Sequence, residues 1–442
     1  MKKKIYFEFL FLIILGALTS LSLPPNNFLF INYLTFSLFF VYIFQKKKLA
    51  NSSQKFLYGW FFGFGYFLTS LYWITISLTF DENFKFLIPI ALILIPAFLA
   101  VFYGAVTYCF FLIDTKKLIS NLFLFSLLFG VTEFLRGTIL TGFPWNLIAY
   151  SFSNNLEIIQ VTSLIGIYAF NILCISFFTS PAFLILGKNR KEISTCIFLL
   201  LSPIILYMTG SSKIKLFQSL SLIENDYVIR AIGSKIDLDR FYENADTELV
   251  IDELIKISKP NLDIKTLFIW PEGIIPNIDQ SELKQFETLF KKNFNKNHLL
   301  GIGINSFEKK DNENIFYNSF SFYDHEVNLV NTYNKVNLVP FGEFLPLERI
   351  LGKIGLRSLT NNYQSFSSGK NREIIRINKN DFDIKILPLI CYEIIYSGKI
   401  FNNSDFDYII NISEDGWFGD SIGPHQHFTH SIFRAIESGK YL

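Results

Sequence analysis

The chain has 442 residues, half of them hydrophobic, with 51 Phe and a formal net charge of +2. Its mean hydropathy is +0.33. That balance excludes an ordinary soluble protein of this length, and the near-neutral charge argues against nucleic-acid binding, which shows as a basic excess on one domain. Phe, Ile, Lys and Asn are abundant from end to end, so a Phe-rich stripe carries no functional weight by itself.

Up to about residue 210, apolar stretches close to the roughly 20 residues that span a bilayer follow one another. They lie at about 5–23, 27–44, 56–78, 86–113, 119–139, 160–186 and 193–210. They predict a polytopic α-helical membrane domain of about seven helices over residues 1–210. The fourth stretch holds Pro89 and Pro96 and is expected to tilt, kink or begin at the interface. The first has the basic start of a signal peptide. Because Leu23-Pro24-Pro25 leads straight into the next apolar run, with no small-residue cleavage site, a retained helix is expected.

Loop charges orient these spans. Lys2, Lys3 and Lys4 precede the first, and Lys46, Lys47, Lys48 and Lys55 follow the second. Lys116 and Lys117 follow the fourth, and Lys188, Arg190 and Lys191 follow the sixth. Of the cations, the alternate loops 24–26, 79–85 and 140–159 carry only Lys85. The positive-inside rule then makes the amino terminus cytoplasmic, and seven crossings put everything after residue 210 on the outer side. Glu133 and Arg136, three apart near the outer end of the fifth span, read either as a functional intramembrane pair or as a snorkelling interfacial anchor. Thr141-Gly142-Phe143-Pro144-Trp145 follows, with Trp145 where tryptophan prefers the interface.

From about Leu222 the pattern changes to short apolar runs between polar helical stretches. Strands are predicted at Tyr227–Ile232, Lys265–Trp270, Leu299–Asn305, Ile315–Tyr323, Val327–Asn334, Lys385–Ile390 and Tyr408–Ile412. Helices are predicted at Asp246–Ser258, Ser281–Asn293 and about His427–Lys440. This alternation predicts a layered α/β domain over 222–442. The span 344–370, with Arg349, Lys353 and Arg357 among Leu and Ile, reads as an amphipathic arm on a membrane surface or as a solvated loop.

The strand ends carry the chemistry-bearing residues. Trp270-Pro271-Glu272-Gly273 ends one with a carboxylate, Asn334-Lys335-Val336 another with a lysine, and Pro340-Phe341-Gly342-Glu343 follows closely. Cys391-Tyr392-Glu393 ends the apolar run 384–390, and Glu414-Asp415-Gly416-Trp417 follows the last strand. Strand ends are where layered α/β folds place their sites. A base, a cation and a thiol brought together there suffice for acyl transfer through a covalent intermediate. Taken alone, Cys391 also reads as a core cysteine. Cys109, Cys174 and Cys196 lie inside long apolar runs, so no disulfide framework is expected.

These motifs resemble the nitrilase, or carbon–nitrogen hydrolase, superfamily: WPEG, then NKVNLVPFGEFLPL, LICYE, and the WFGDS and QH segment. Joined to a multi-span half that contains EFLRGTILTGFPW over 133–145, the chain is similar to the apolipoprotein N-acyltransferase family. The resemblance implies an α-β-β-α sandwich with Glu272 as general base, Lys335 as catalytic lysine and Cys391 as nucleophile. It implies supporting roles for Glu343, Tyr392 and Glu393, and substrate contacts at Trp417 and Trp145. It further implies a phospholipid acyl donor, a diacylglyceryl apolipoprotein acceptor, a bacterial inner-membrane location with the catalytic half on the periplasmic side, and no cofactor.

Two departures accompany the resemblance. Gly233 and an aromatic, Phe241 or Tyr242, stand where the family has Gln and Trp. The family also continues beyond the position of Leu442 with a further segment and a final membrane span, so the chain is expected to lack that end. Other readings stay open: a membrane-anchored amidase acting on small amides, and a transporter with an accessory domain. His425, His427 and His430 form an H-x-H-x2-H pattern that the same family segment accounts for without metal.

Overall fold

The computed structural model describes the chain except residues 1, 114, 221–224, 235, 237, 239–244, 311–312, 355–364, 399 and 401–404. Phe241, Tyr242 and Arg357 therefore lie outside the described residues. The chain divides into two compact units, Met1–Ser221 with Phe418–Gly439, and Leu222–Trp417 with Lys440–Leu442.

The first unit is helical. Helices α1 (Lys2–Ser20), α2 (Ile31–Lys46), α3 (Ser52–Leu71), α4 (Ile88–Leu112), α5 (Leu118–Arg136), α6 (Thr162–Thr179) and α7 (Arg190–Ser219) lie at the seven predicted stretches. Among the described residues, five segments are long and apolar enough to cross a membrane, beginning at Ser52, Glu82, Leu118, Thr162 and Arg190. Helix α2, at 16 residues, is shorter than any of these. Residues 21–30, with Pro24 and Pro25, form turns that end α1 at Ser20 and delay α2 to Ile31. Capping boxes start α3 (Asn51 with Gln54) and α7 (Asn189 with Glu192), where the basic loops meet the helices. A Cβ on Gly16 would lie 1.9 Å from the Phe62 carbonyl oxygen, and one on Gly65 would lie 2.1 Å from that of Ile13. Those two glycines allow α1 and α3 to pack backbone to backbone.

The Glu133–Arg136 pair is buried within this unit. Glu133 accepts from the Tyr103 hydroxyl at 2.7 Å and from Arg136 Nε at 2.7 Å. Arg136 also donates to the Phe143 carbonyl and lies over the Phe67 ring. A snorkelling anchor is thereby excluded. The pair is an internal cross-tie joining α5 to Tyr103 of α4 and to the 141–145 loop, fully partnered as buried charges must be.

The last helix (Gly423–Ser438) groups with this first unit, although the sequence division placed it with the rest of 222–442. It starts four residues earlier than predicted, with Pro424 in its first turn. Its buried face explains the grouping. Gln426 Oε1 accepts from the indole N–H of Trp145 at 3.0 Å and of Trp73 at 3.2 Å. His430 Nδ1 pairs with the Tyr150 hydroxyl at 2.8 Å, and Glu437 accepts the Ile167 N–H just after the break in α6 at Gly166. These polar side chains find partners on the membrane helices and their loops, which helical periodicity does not reveal.

The second unit holds two sheets. The first has the order β1 (Val228–Ala231), β2 (Thr266–Ile269), β3 (His298–Lys310), β4 (Glu313–Asp324), β5 (Leu329–Asn334). Its first two pairings are parallel and the next two antiparallel. The second sheet is β6 (Ile375–Lys379), β7 (Phe382–Ile390) and β8 (Tyr408–Ile412), with β7 antiparallel to β6 and parallel to β8. Strand β6 was not predicted, and the helix expected from Ser281 begins as regular α-helix only at Glu287.

Alternation along the strands makes two cores. Leu267, Ile269, Phe320 and Phe322 of the first sheet meet Ile384, Ile386, Ile390 and Ile412 of the second. On the other face of the first sheet, Phe268, Trp270, Ile302 and Ile304 pack under Ile251 and Leu254 of α8 (Thr247–Ser258) and Phe290 of α9 (Glu287–Asn293). Helix α8 is delimited by Asp246, whose carboxylate accepts the Glu248 and Leu249 N–H groups, and by Lys259 in the left-handed conformation. The result is a helix layer on two face-to-face sheets, with the predicted site residues of this unit just past the ends of β2, β5, β7 and β8.

Candidate active site

Glu272 stands three residues past β2, and Lys335 directly follows β5. Lys335 Nζ is buried and donates to Glu272 Oε1 at 3.2 Å and to Glu343 Oε1 at 2.9 Å. Burial alone would lower this lysine, but the Glu272 and Glu343 carboxylates outweigh it and hold the ammonium well above the ordinary lysine value. It is a permanent cation at any physiological pH.

Asn318, which sequence reasoning missed, completes this centre. Its Nδ2 donates to Glu272 Oε1 at 2.7 Å and to Glu343 Oε1 at 2.8 Å. Facing two carboxylate oxygens, that atom must be the amide nitrogen, which fixes the orientation of the side chain. The remaining carboxylate oxygens are held by backbone. Glu272 Oε2 accepts the Glu414 N–H at 3.1 Å and Glu343 Oε2 the Val339 N–H at 2.8 Å. A signal for Asn318 existed: it shares the inward face of β4 with Phe320 and Phe322, and a polar residue at a core position needs a reason.

Cys391 directly follows β7 with φ of +49°, the left-handed region that a non-glycine residue enters at a cost of order 1–3 kcal/mol. It is buried, carries no disulfide, and begins a tight turn over Cys391–Ile395. Burial pushes its thiol up and Glu272 adds to this. Lys335 and a hydrogen bond with Ser413 pull it down, while Asp415 raises it; the net position is well above the ordinary thiol range. The resting sulfur is therefore a protonated thiol, and attack through it requires a base at the moment of reaction.

Glu393 belongs to the same turn and is fully buried. Its Oε1 accepts the N–H groups of Val336 at 2.9 Å and Asn337 at 3.0 Å, just after Lys335. Its Oε2 accepts the Ile390 N–H at 2.9 Å, just before Cys391. The Tyr333 hydroxyl donates to both oxygens, and Arg372 Nη2 donates to Oε1 at 2.9 Å. Burial pushes the Tyr333 hydroxyl far up, reinforced by Glu393, so it stays a donor.

The structure thus brings Glu272, Lys335 and Glu343 into one hydrogen-bonded centre, the Glu272 and Lys335 charges acting on Cys391, with Glu393 tying the lysine and cysteine loops together. Tyr392 is buried and packs edge-on against Tyr396. Trp417, half-buried, lies in the turn Asp415–Phe418 at the edge of this unit. Trp145 belongs to the first unit, where it is buried beside Trp73, His427 and His430. Of the three histidines, His427 stacks on Trp145, His430 bonds Tyr150 and His425 is exposed. In the 344–370 span, Leu345 is buried, Leu347 is exposed and Glu348–Leu351 forms a short helix.

Comparison with known proteins agrees with both halves. A family model described as apolipoprotein N-acyltransferase N-terminal domain matches residues 15–179, and one described as carbon–nitrogen hydrolase matches 265–442. The apolipoprotein N-acyltransferase of Rhodopseudomonas palustris is 31% identical, over 96% of this chain and 81% of its own length. That of Brucella melitensis is 30% identical with the same coverages, and that of Rickettsia prowazekii is 33% identical over 97% and 83%.

Proposed function

The chain belongs to the apolipoprotein N-acyltransferase family, and from that membership we propose that it moves an acyl chain from a membrane phospholipid, held as a thioester on Cys391, to an apolipoprotein. The acceptor group is the α-amine of the lipidated N-terminal cysteine. One observation carries the reading: a buried thiol on left-handed backbone, acted on by the charges of a carboxylate and a lysine that are themselves ion-paired.

In the first half-reaction Glu272 takes the Cys391 proton as sulfur attacks the ester carbonyl carbon. Lys335 and the Tyr392 backbone N–H hold the oxyanion. The C–O bond then breaks, the departing lysophospholipid oxygen takes the proton back from Glu272, and the thioester remains. In the second half-reaction the acceptor amine gives a proton to Glu272 and attacks the thioester. The C–S bond breaks, the amide forms, and Cys391 is reprotonated from Glu272. Each substrate uses the same sulfur in turn, so the kinetics are ping-pong.

Glu343 fixes Lys335 in this scheme, Glu393 fixes the turn and Trp417 serves lipid contact, whereas Trp145, expected to contact substrate, is buried against Trp73 and His427 and acts by packing. Residues 1–210 hold the reaction at the lipid surface of the bacterial inner membrane, and 222–442 carry the chemistry on the periplasmic side, as the loop charges support. The test is transfer in vesicles. With a diacylglyceryl peptide and labelled phospholipid, label is expected on the peptide amine, together with lysophospholipid. Release of free fatty acid with an unmodified peptide, or turnover of small amides alone, would instead identify a hydrolase.

A further inference from the structure

The turn that carries Cys391 is held by a charge that the chemistry above does not use. Besides Arg372, four donors converge on Glu393, one of them the Tyr333 hydroxyl, which lies within hydrogen-bond reach of both oxygens. Three are backbone N–H groups, two beside Lys335 and one beside Cys391. A single carboxylate therefore sets the spacing between the loop of the lysine and the loop of the thiol. An ionised carboxylate so far from water needs a countercharge.

Arg372 supplies it. Arg372 lies three residues before β6, its side chain only 9% exposed, and its Nη2 reaches Glu393 Oε1 at 2.9 Å and Asn337 Oδ1 at 2.6 Å. Its Nε is 3.4 Å from the Tyr333 hydroxyl. One guanidinium thus touches the carboxylate, the hydroxyl that caps it, and the loop residue two past Lys335. The fork geometry suits this, since arginine presents several donors in one rigid plane. Cys391 supplies the reason for such a clamp. A left-handed non-glycine residue persists only where its surroundings over-determine it.

We propose that Arg372 is a positioning residue for the nucleophile, acting through Glu393 to hold the strained Cys391 turn in register with Lys335. It touches no substrate. The inference rests on the reading of Cys391 as the acyl carrier, and its test separates the two. In vesicles, the single-turnover rate of Cys391 acylation is compared for the wild type, Arg372→Met and Arg372→Lys, all checked for folding by thermal melting. Arg372→Met is expected to acylate roughly 100-fold more slowly, the penalty of a small misplacement remote from the chemistry. KM for phospholipid should hold. Arg372→Lys, which restores the charge without the fork, is expected to fall between. A folded Arg372→Met protein with the wild-type rate, or a loss carried wholly by KM, would overturn the proposal. In parallel, iodoacetamide labelling of Cys391 reads the thiol without any lipid. Slower labelling in Arg372→Met alongside a wild type that forms no acyl-enzyme would sink the acyl-carrier reading and leave the clamp standing. Unchanged labelling would sink the clamp.

Discussion

Cys391→Ala is expected to abolish acyl transfer, and Cys391→Ser to lower it by roughly 10³-fold or more, as for nucleophiles in other covalent enzymes. Alanine removes the sulfur proposed to carry the acyl group. Serine keeps the shape and a hydroxyl, but a hydroxyl gives up its proton far less readily than a thiol. The site has no surplus to offer it, because burial and Glu272 already push even the thiol above its ordinary range. The backbone demand is the same in all three proteins, since φ of +49° at this position suits none of them. Both variants should therefore fold, and the loss should lie in the chemistry. The check is lysophospholipid release and acceptor acylation on the folded proteins. Transfer at the wild-type rate by Cys391→Ala would remove Cys391 from the mechanism.

Lys335→Met is the second large effect, and it acts on stability as well as rate. The wild-type ammonium lies between Glu272 and Glu343, whose Oε1 atoms also share the Asn318 amide nitrogen. Without the cation two buried carboxylates face one another. Breaking a buried pair in this way costs about 3–5 kcal/mol. The sign with pH follows from the raised value of Lys335. A group raised in the folded state stabilises fully below its unfolded value, about 10.4, and loses that contribution only as pH climbs through the folded value. The stability gap between wild type and variant should hence be flat through neutral pH and close only in strong alkali. Acyl-enzyme formation should disappear while phospholipid still binds. Melting curves from pH 6 to 10, with lipid co-sedimentation, check both; normal acylation by the variant would refute the role given to the lysine.

The strand-end motifs were legible because each combines an apolar run with an ionisable residue at its end, where a strand has no structural use for one. Glu272, Lys335 and Cys391 all fall at such positions, and the folded chain brings their charges together. Asn318 and Arg372 were not legible in the same way. Each is an ordinary polar residue until tertiary structure supplies its partners, two carboxylates for one and Glu393 for the other. The spans were read from hydropathy, but α1 ends at Ser20 rather than near 23 and α2 starts at Ile31 rather than near 27, because an apolar run does not mark where proline turns interrupt the helix. Periodicity located the last helix, whose buried face carries Gln426, His430 and Phe433. It did not identify what that face packs against, which depends on Trp73, Trp145 and Tyr150 far away in the chain. The Glu133–Arg136 pair shows the same limit: spacing paired the two residues, and only packing revealed that they are buried.

The central claim is that Cys391 carries the acyl chain. It is tested most directly by incubating the protein with phospholipid vesicles and no acceptor, quenching in denaturant, and mapping the mass of each cysteine peptide. A single acyl group on Cys391, released by hydroxylamine and discharged on adding a diacylglyceryl peptide, is the predicted result. Acylation of Cys109, Cys174 or Cys196 instead, or an unmodified Cys391 in a protein that still acylates its acceptor, would contradict it.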